Sequence, residues 1–160
     1  MEYQQGSHTI YNIQYHVIWV TKYRFQILKG DVAIRARELI RQTCLSRDIK
    51  IIQGSIGKDH VHILLSCPPT MSPSKIVQYI KGRSSRLIQD EFPNIKKRYW
   101  GQHMWARGYF CSTVGAVTEE TIKTYIENQE VEGNKENFKI NDEFQSDTWG
   151  GLNHWAFSRL

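Results

Sequence analysis

The sequence predicts an α+β domain, and three observations point there. Tyr11–Thr21 alternates polar and apolar residues and then turns apolar on both faces, which reads as a central strand. Two β-rich runs, Ile49–Ile56 and His60–Ser66, flank the turn-forming Gly57-Lys58-Asp59 and should pair as an antiparallel hairpin. Stretches with helical apolar spacing stand on either side of that hairpin, at Asp31–Arg47 and Ser72–Asp90.

Each element has a local reason. In the first strand Tyr11, Ile13, Tyr15, Val17 and Trp19 share one face, with Asn12, Gln14 and His16 on the other before Ile18 and Val20. The first helix buries Val32, Ala36, Leu39, Ile40 and Thr43 and turns Arg35, Glu38, Arg41 and Gln42 outward. Ser72-Pro73 is a helix start, with serine as N-cap and proline at the first helical position. Ile76, Ile80 and Leu87 form the apolar stripe of that helix. A loop rich in aromatic and basic residues follows. Tyr109–Thr113 then reads as a short strand, Gly115-Ala116 as a break, and Thr118–Gln129 as a last helix with Glu119 and Glu120 favourably placed in its first turn. The first six elements follow the ferredoxin-like βαββαβ order, and the last helix is an addition to it. We divide the chain into a domain at 9–130 and a polar C-terminal appendage at 131–160, in which Phe138, Phe144, Trp149 and Trp155 are scattered.

Composition narrows the function. At 160 residues, 40% hydrophobic and 23% charged, the chain has material for one core and is neither a disordered tail nor a membrane protein. No apolar run approaches the ~18 residues that a bilayer span needs, and the N-terminus has no secretory pattern. Three scattered cysteines, none in a CxxC pair, argue against a disulfide scaffold or thiolate zinc site and suit a reducing cytoplasm. The net charge is only +5, but Lys75–Arg107 carries eight basic and two acidic residues. Tyr79, Phe92, Tyr99, Trp100 and Trp105 are interleaved with them, which suits a polyanion with stackable bases as well as it suits a solvated helix face.

Two short motifs carry chemistry. His60 and His62, at i and i+2 of a strand, project from one face while Val61 and Ile63 point to the other. Such a pair could share a divalent cation, or could be two half-exposed strand histidines. Tyr125 and Gln129 lie four apart, on one side of the last helix, at the edge of the stripe made by Ile122 and Ile126. By itself that placement reads first as a core or rim tyrosine and a capping amide.

Together these motifs resemble the single-tyrosine HUH transposases of the insertion-sequence 200/605 family. The likeness spans about residues 9–140 and includes Tyr125-Ile126-Glu127-Asn128-Gln129, Tyr15-His16-Val17-Ile18-Trp19, Tyr79-Ile80-Lys81-Gly82-Arg83-Ser84-Ser85 and Arg107-Gly108-Tyr109-Phe110. The resemblance implies a ferredoxin-like or RRM-like palm that cuts and rejoins single-stranded DNA. It assigns Tyr125 as nucleophile and His60, His62 and Gln129 as ligands of Mg2+ or Mn2+. It also implies a homodimer whose active site is shared between subunits, and recognition of hairpins at the element ends. Lys75, Lys81, Arg83, Arg86, Lys96, Lys97 and Arg98 are then the candidate DNA contacts. Gly115-Ala116 stands where the family has a small-residue hinge, commonly with two glycines.

Rival readings are a non-enzymatic RNA- or single-strand-binding module of the same fold and a domesticated, repeat-processing relative. The first leaves His60, His62, Tyr125 and Gln129 unexplained, and Phe110 stands where the RRM aromatic motif needs Gly or Ala. A two-histidine phosphoesterase needs His-x-Ser/Thr motifs, and none of the six histidines begins one.

Overall fold

The computed structural model describes residues 3–113 and 138–140. A five-stranded sheet is built from β3 (Gln14–Val20), β4 (Lys50–Ile56), β5 (His60–Ser66), β6 (Phe110–Thr113) and β7 (Phe138–Ile140), in the order β6-β3-β5-β4-β7. The first four run antiparallel to their neighbours, and β7 adds to the β4 edge in parallel. The helices are α1 (Gly30–Leu45), α2 (Pro73–Glu91) and the short α3 (Pro93–Arg98). Strands β1 (Gln4–Gln5) and β2 (Ile10–Tyr11) pair separately. This is an α+β fold with a mixed sheet. None of the described helices is long and apolar enough to cross a membrane.

The locally encoded elements lie close to where the sequence places them. Strand β5 has the expected bounds, and the Ser72 hydroxyl accepts from the Lys75 amide at 3.3 Å while Pro73 opens α2. Three expectations need correction. The first strand is interrupted after Tyr11, because the β3–β5 ladder ends at Gln14 opposite Ser66 and Ile10–Tyr11 pairs with Gln4–Gln5 instead. The aromatic and basic loop contains α3, whose six residues are too short to show a helical period but bury Ile95. In α2 the stripe is completed by Ile88, fully buried, with Leu87 only packed against the core edge.

The alternation of the strands separates two faces. Val17 lies opposite Ile63 and Trp19 opposite Val61, and these four side chains join Leu39 and Ile40 of α1 and Ile76 and Ile80 of α2 in one core. The other face carries His16, Ile18 and Val20 of β3 and His60, His62 and Leu64 of β5, which are buried outside that core cluster. Phe138, which the sequence left in an appendage of unassigned structure, is buried to 1% exposure, and its ring lies across Gly54. A Cβ at Gly54 would overlap that ring, so glycine is needed there for close approach of β7.

A histidine pair on the central hairpin

Strand alternation and a turn place the two imidazoles. His60 and His62 are stacked, with ring centroids 4.6 Å apart and planes 16° from parallel. Both are buried, at 7% and 3% exposure, which removes the half-exposed alternative. Gly57 does more than make a turn. It has no positive φ, but a Cβ there would overlap Cε1, Nδ1 and Nε2 of His60, so its missing side chain is the seat of the imidazole. The Gly57 amide donates to the His60 carbonyl at 2.9 Å and closes the hairpin over that seat.

Burial governs the protonation of His62 and His16. It pushes His62 well below the ordinary histidine value, and the neighbouring charges of His60 and His16 act in the same direction. His16 is lowered to about 4, also by burial. A neutral imidazole has a lone pair to offer a cation, so desolvation keeps His62 in the ligand form. Sequence reasoning gave His16 no role: alternation set it on the face away from Val17, and the pairing of β3 with β5 made that the histidine face.

It also missed Asp59 and Arg24. His60 Nδ1 lies 2.8 Å from Asp59 Oδ1, and Arg24 Nε donates to Asp59 Oδ2 at 3.1 Å. Burial alone would raise the Asp59 pKa, but His60 and Arg24 outweigh it and hold the carboxyl below its usual value. Asp59 was visible in the sequence only as a turn residue. Arg24 comes from 35 positions away, and no local pattern marks it.

Tyr125, Gln129 and the Gly115-Ala116 break lie outside the described residues. Among the described residues, no group of three or more His, Cys, Asp or Glu side chains gathers as a metal site. His60 and His62 stand as a pair of imidazole donors without a third such side chain gathered beside them among the described residues.

The basic residues divide by environment. A groove of about 680 Å³ is lined by Lys22, Arg24, Lys81, Gly82, His103 and Arg107, among others. It shares Gly82, Ser85, Gln102 and His103 with a second hollow of about 340 Å³ that reaches Arg86 and Lys96. Lys81 also anchors the fold: its ammonium donates to the Ala106 and Gly108 carbonyls at 2.6 and 3.0 Å, and burial lowers its pKa to about 8. Arg83 reaches away from the groove to Leu39, Thr43 and Gln42 of α1. Arg98 lies over the Phe25 ring at 4.1 Å, and Lys75 and Lys97 are exposed. Of the basic residues singled out in the sequence, Lys81, Arg86 and Lys96 line the two hollows, while Lys22 and Arg24 enter the larger one from a distant turn.

The protein thus combines an α+β scaffold, a buried imidazole pair on one face of its sheet and a separate groove walled in part by basic side chains, features that suit a nucleic-acid enzyme. Comparison with known proteins makes this specific. Residues 9–129 match the family model described as "Transposase IS200 like". Over 129 residues the chain is 34% identical to the ISDra2 transposase TnpA of Deinococcus radiodurans, covering 81% of this chain and 92% of that protein. It is 35% identical over 123 residues to the transposase for insertion sequence element IS200 of Salmonella typhimurium, covering 77% and 80%. The crystal structure of a Deinococcus radiodurans R1 transposase superposes with a TM-score of 0.65 at 33% identity, over 80% of this chain and 98% of that one. A REP-associated tyrosine transposase bound to a REP hairpin shares the fold, with a TM-score of 0.56 at 14% identity over 76% and 70% of the two chains. The chain belongs to the IS200/IS605 family of single-tyrosine HUH transposases.

Proposed function

We propose that this transposase cleaves and rejoins single-stranded DNA at insertion-sequence ends through a 5′-phosphotyrosine formed by Tyr125. The observation that carries the reading is the stacked, buried His60–His62 pair in a chain of this family. The Tyr125 oxygen attacks the scissile phosphorus, the P–O3′ bond breaks, and the leaving oxygen takes a proton as a 3′-OH. Attack by a second 3′-OH then breaks the P–O(Tyr125) bond and returns the proton to the phenol. Because each bond broken is replaced by another phosphodiester, no external energy source is needed. A water nucleophile would instead release the strand.

The residues fit a divalent cation held by His60, His62 and Gln129. Two neutral imidazoles and an amide add no negative charge, and imidazole donors accept Mn2+ at least as well as Mg2+. When bound, such an ion supplies charge that polarises the phosphoryl oxygens and orients the phosphate for in-line attack.

The order β6-β3-β5-β4, antiparallel throughout, supports reading the sheet as a ferredoxin-like palm. DNA hairpins at the element ends would lie along the groove, with Arg86, Lys96, Arg107 and Lys22 facing phosphates. A homodimer that shares its active sites completes the reading, with the helix of Tyr125 serving the histidines of one subunit or the other.

Labelled single-stranded DNA containing an element end should give an SDS-resistant adduct with Mn2+. Tyr125→Phe should abolish the adduct and keep DNA binding, and His62→Ala should lose metal-dependent cleavage. Cleavage by Tyr125→Phe would refute the nucleophile. DNA binding without any adduct from the unaltered protein would make it a binding module.

A further inference from the structure

We propose that Arg24 and Asp59 are positioning residues: they clamp His60 in its Nδ1–H tautomer, so that the ring's lone pair, the one a cation would take, sits on Nε2. The inference deepens the proposed metal site and rests on it.

The chain of contacts has one sense. An ionised carboxylate can only accept, so Asp59 Oδ1 at 2.8 Å from His60 Nδ1 requires the hydrogen on that nitrogen. The other oxygen, Oδ2, is taken by Arg24 Nε at 3.1 Å, which prevents the carboxylate from rotating away. Asp59 is 3% exposed, so water does not compete freely for it. Its backbone is tied as well, the carbonyl accepting from the Thr21 amide at 2.8 Å. Gly57 packs against the imidazole at Cε1, Nδ1 and Nε2, so the ring is seated from that side too.

Arg24 is delivered by an unfavourable turn. Tyr23 and Arg24 both have positive φ, 61° and 52°, a conformation that non-glycine residues adopt at a cost of about 1 kcal/mol or more each. The surroundings hold it there. The Thr21 hydroxyl donates to the Phe25 carbonyl at 2.8 Å, the Arg24 amide to the Thr21 carbonyl at 2.9 Å, and the Tyr99 hydroxyl to the Lys22 carbonyl at 3.0 Å. A turn with two consecutive left-handed side-chain-bearing residues persists where its geometry serves a site, and here the arginine it presents meets the carboxylate behind His60. Carboxylate partners of a ligating histidine orient the ring and raise its basicity, and their loss commonly weakens metal binding ~10–100-fold.

Two readouts test this. Long-range 1H–15N NMR on the metal-free protein reads the His60 tautomer directly, and calorimetry with Mn2+ alone reads affinity. The unaltered protein should show His60 as Nδ1–H. Asp59→Ala should move it toward Nε2–H and weaken Mn2+ by ~10–100-fold. Arg24→Met should weaken Mn2+ by a smaller factor. An Nε2–H tautomer in the unaltered protein overturns the proposal, as does a folded Asp59→Ala with Mn2+ affinity within about twofold of the parent. Should Asp59→Ala fail to fold, the parent tautomer and Arg24→Met still decide. An unaltered protein that binds no Mn2+ would sink the metal reading on its own, a result distinct from a wrong tautomer.

Discussion

Replacing Gly57 with alanine forces a choice between the hairpin and the imidazole packed across it. The new methyl would occupy the space of Cε1, Nδ1 and Nε2 of His60, so the ring must leave or the turn must open. If the ring leaves, it loses the 2.8 Å hydrogen bond to Asp59 and its stack on His62. A hydrogen bond to a charged group is worth ~1.5–3 kcal/mol. If the turn opens, the overpacking penalty is of the same order, ~1–3 kcal/mol. The cheaper route governs, so we expect a loss of about 2 kcal/mol. For a domain of this length that lowers Tm by roughly 4–8 °C. The effect on cation binding should be larger in proportion, because His60 is itself a proposed ligand: Mn2+ affinity should fall by at least ~100-fold. Differential scanning fluorimetry and calorimetry with Mn2+ measure the two effects on one sample. A Gly57→Ala protein with unchanged Tm and unchanged Mn2+ affinity would refute the placement of the ring.

His16 is lowered to about 4 in the folded chain and returns to ~6.5 on unfolding, so below pH ~6.5 the unfolded state takes up more protons. The stabilisation is complete above that pH and is lost as pH falls toward 4, by about 3 kcal/mol for His16. His62 adds a loss of the same sign. Urea unfolding between pH 7.5 and 4.5 should show this slope, and His16→Phe should flatten it; an identical slope in the variant would remove His16 as its source. Gly82, on α2 where an added Cβ meets nothing within 4 Å, separates stability from binding. Gly82→Ala should stabilise by ~1 kcal/mol through helix propensity. Gly82→Phe, projecting into the groove, should weaken single-stranded DNA binding at least ~10-fold by the loss of adjacent phosphate contacts, with Mn2+ affinity unchanged. Equal DNA affinity in titrations of the Phe variant and the parent would place the DNA elsewhere.

How much could be read in advance follows from the range of each interaction. The hairpin, the Ser72 cap and the assignment of His60 and His62 to one face depend on neighbours within a few positions, so residue order alone specifies them. Family likeness in the chain likewise resides in contiguous motifs, and the proposal of Tyr125 and Gln129 as nucleophile and ligand rests on them alone. The burial of both histidines, the alignment of His16 with them and the service of Gly57 as a seat depend on which strands become neighbours. The same holds for Lys81, whose charge suggested DNA but whose ammonium binds two loop carbonyls 25 and 27 residues away. It holds also for Phe138, which joins the edge of β4 from a segment with no strand pattern of its own. Arg24 is the clearest case: its approach to Asp59 requires a left-handed turn that propensity disfavours and that only the surrounding hydrogen bonds maintain. Local periodicity encodes which way a side chain points along its own element; what it meets there is set by packing between elements distant in the chain.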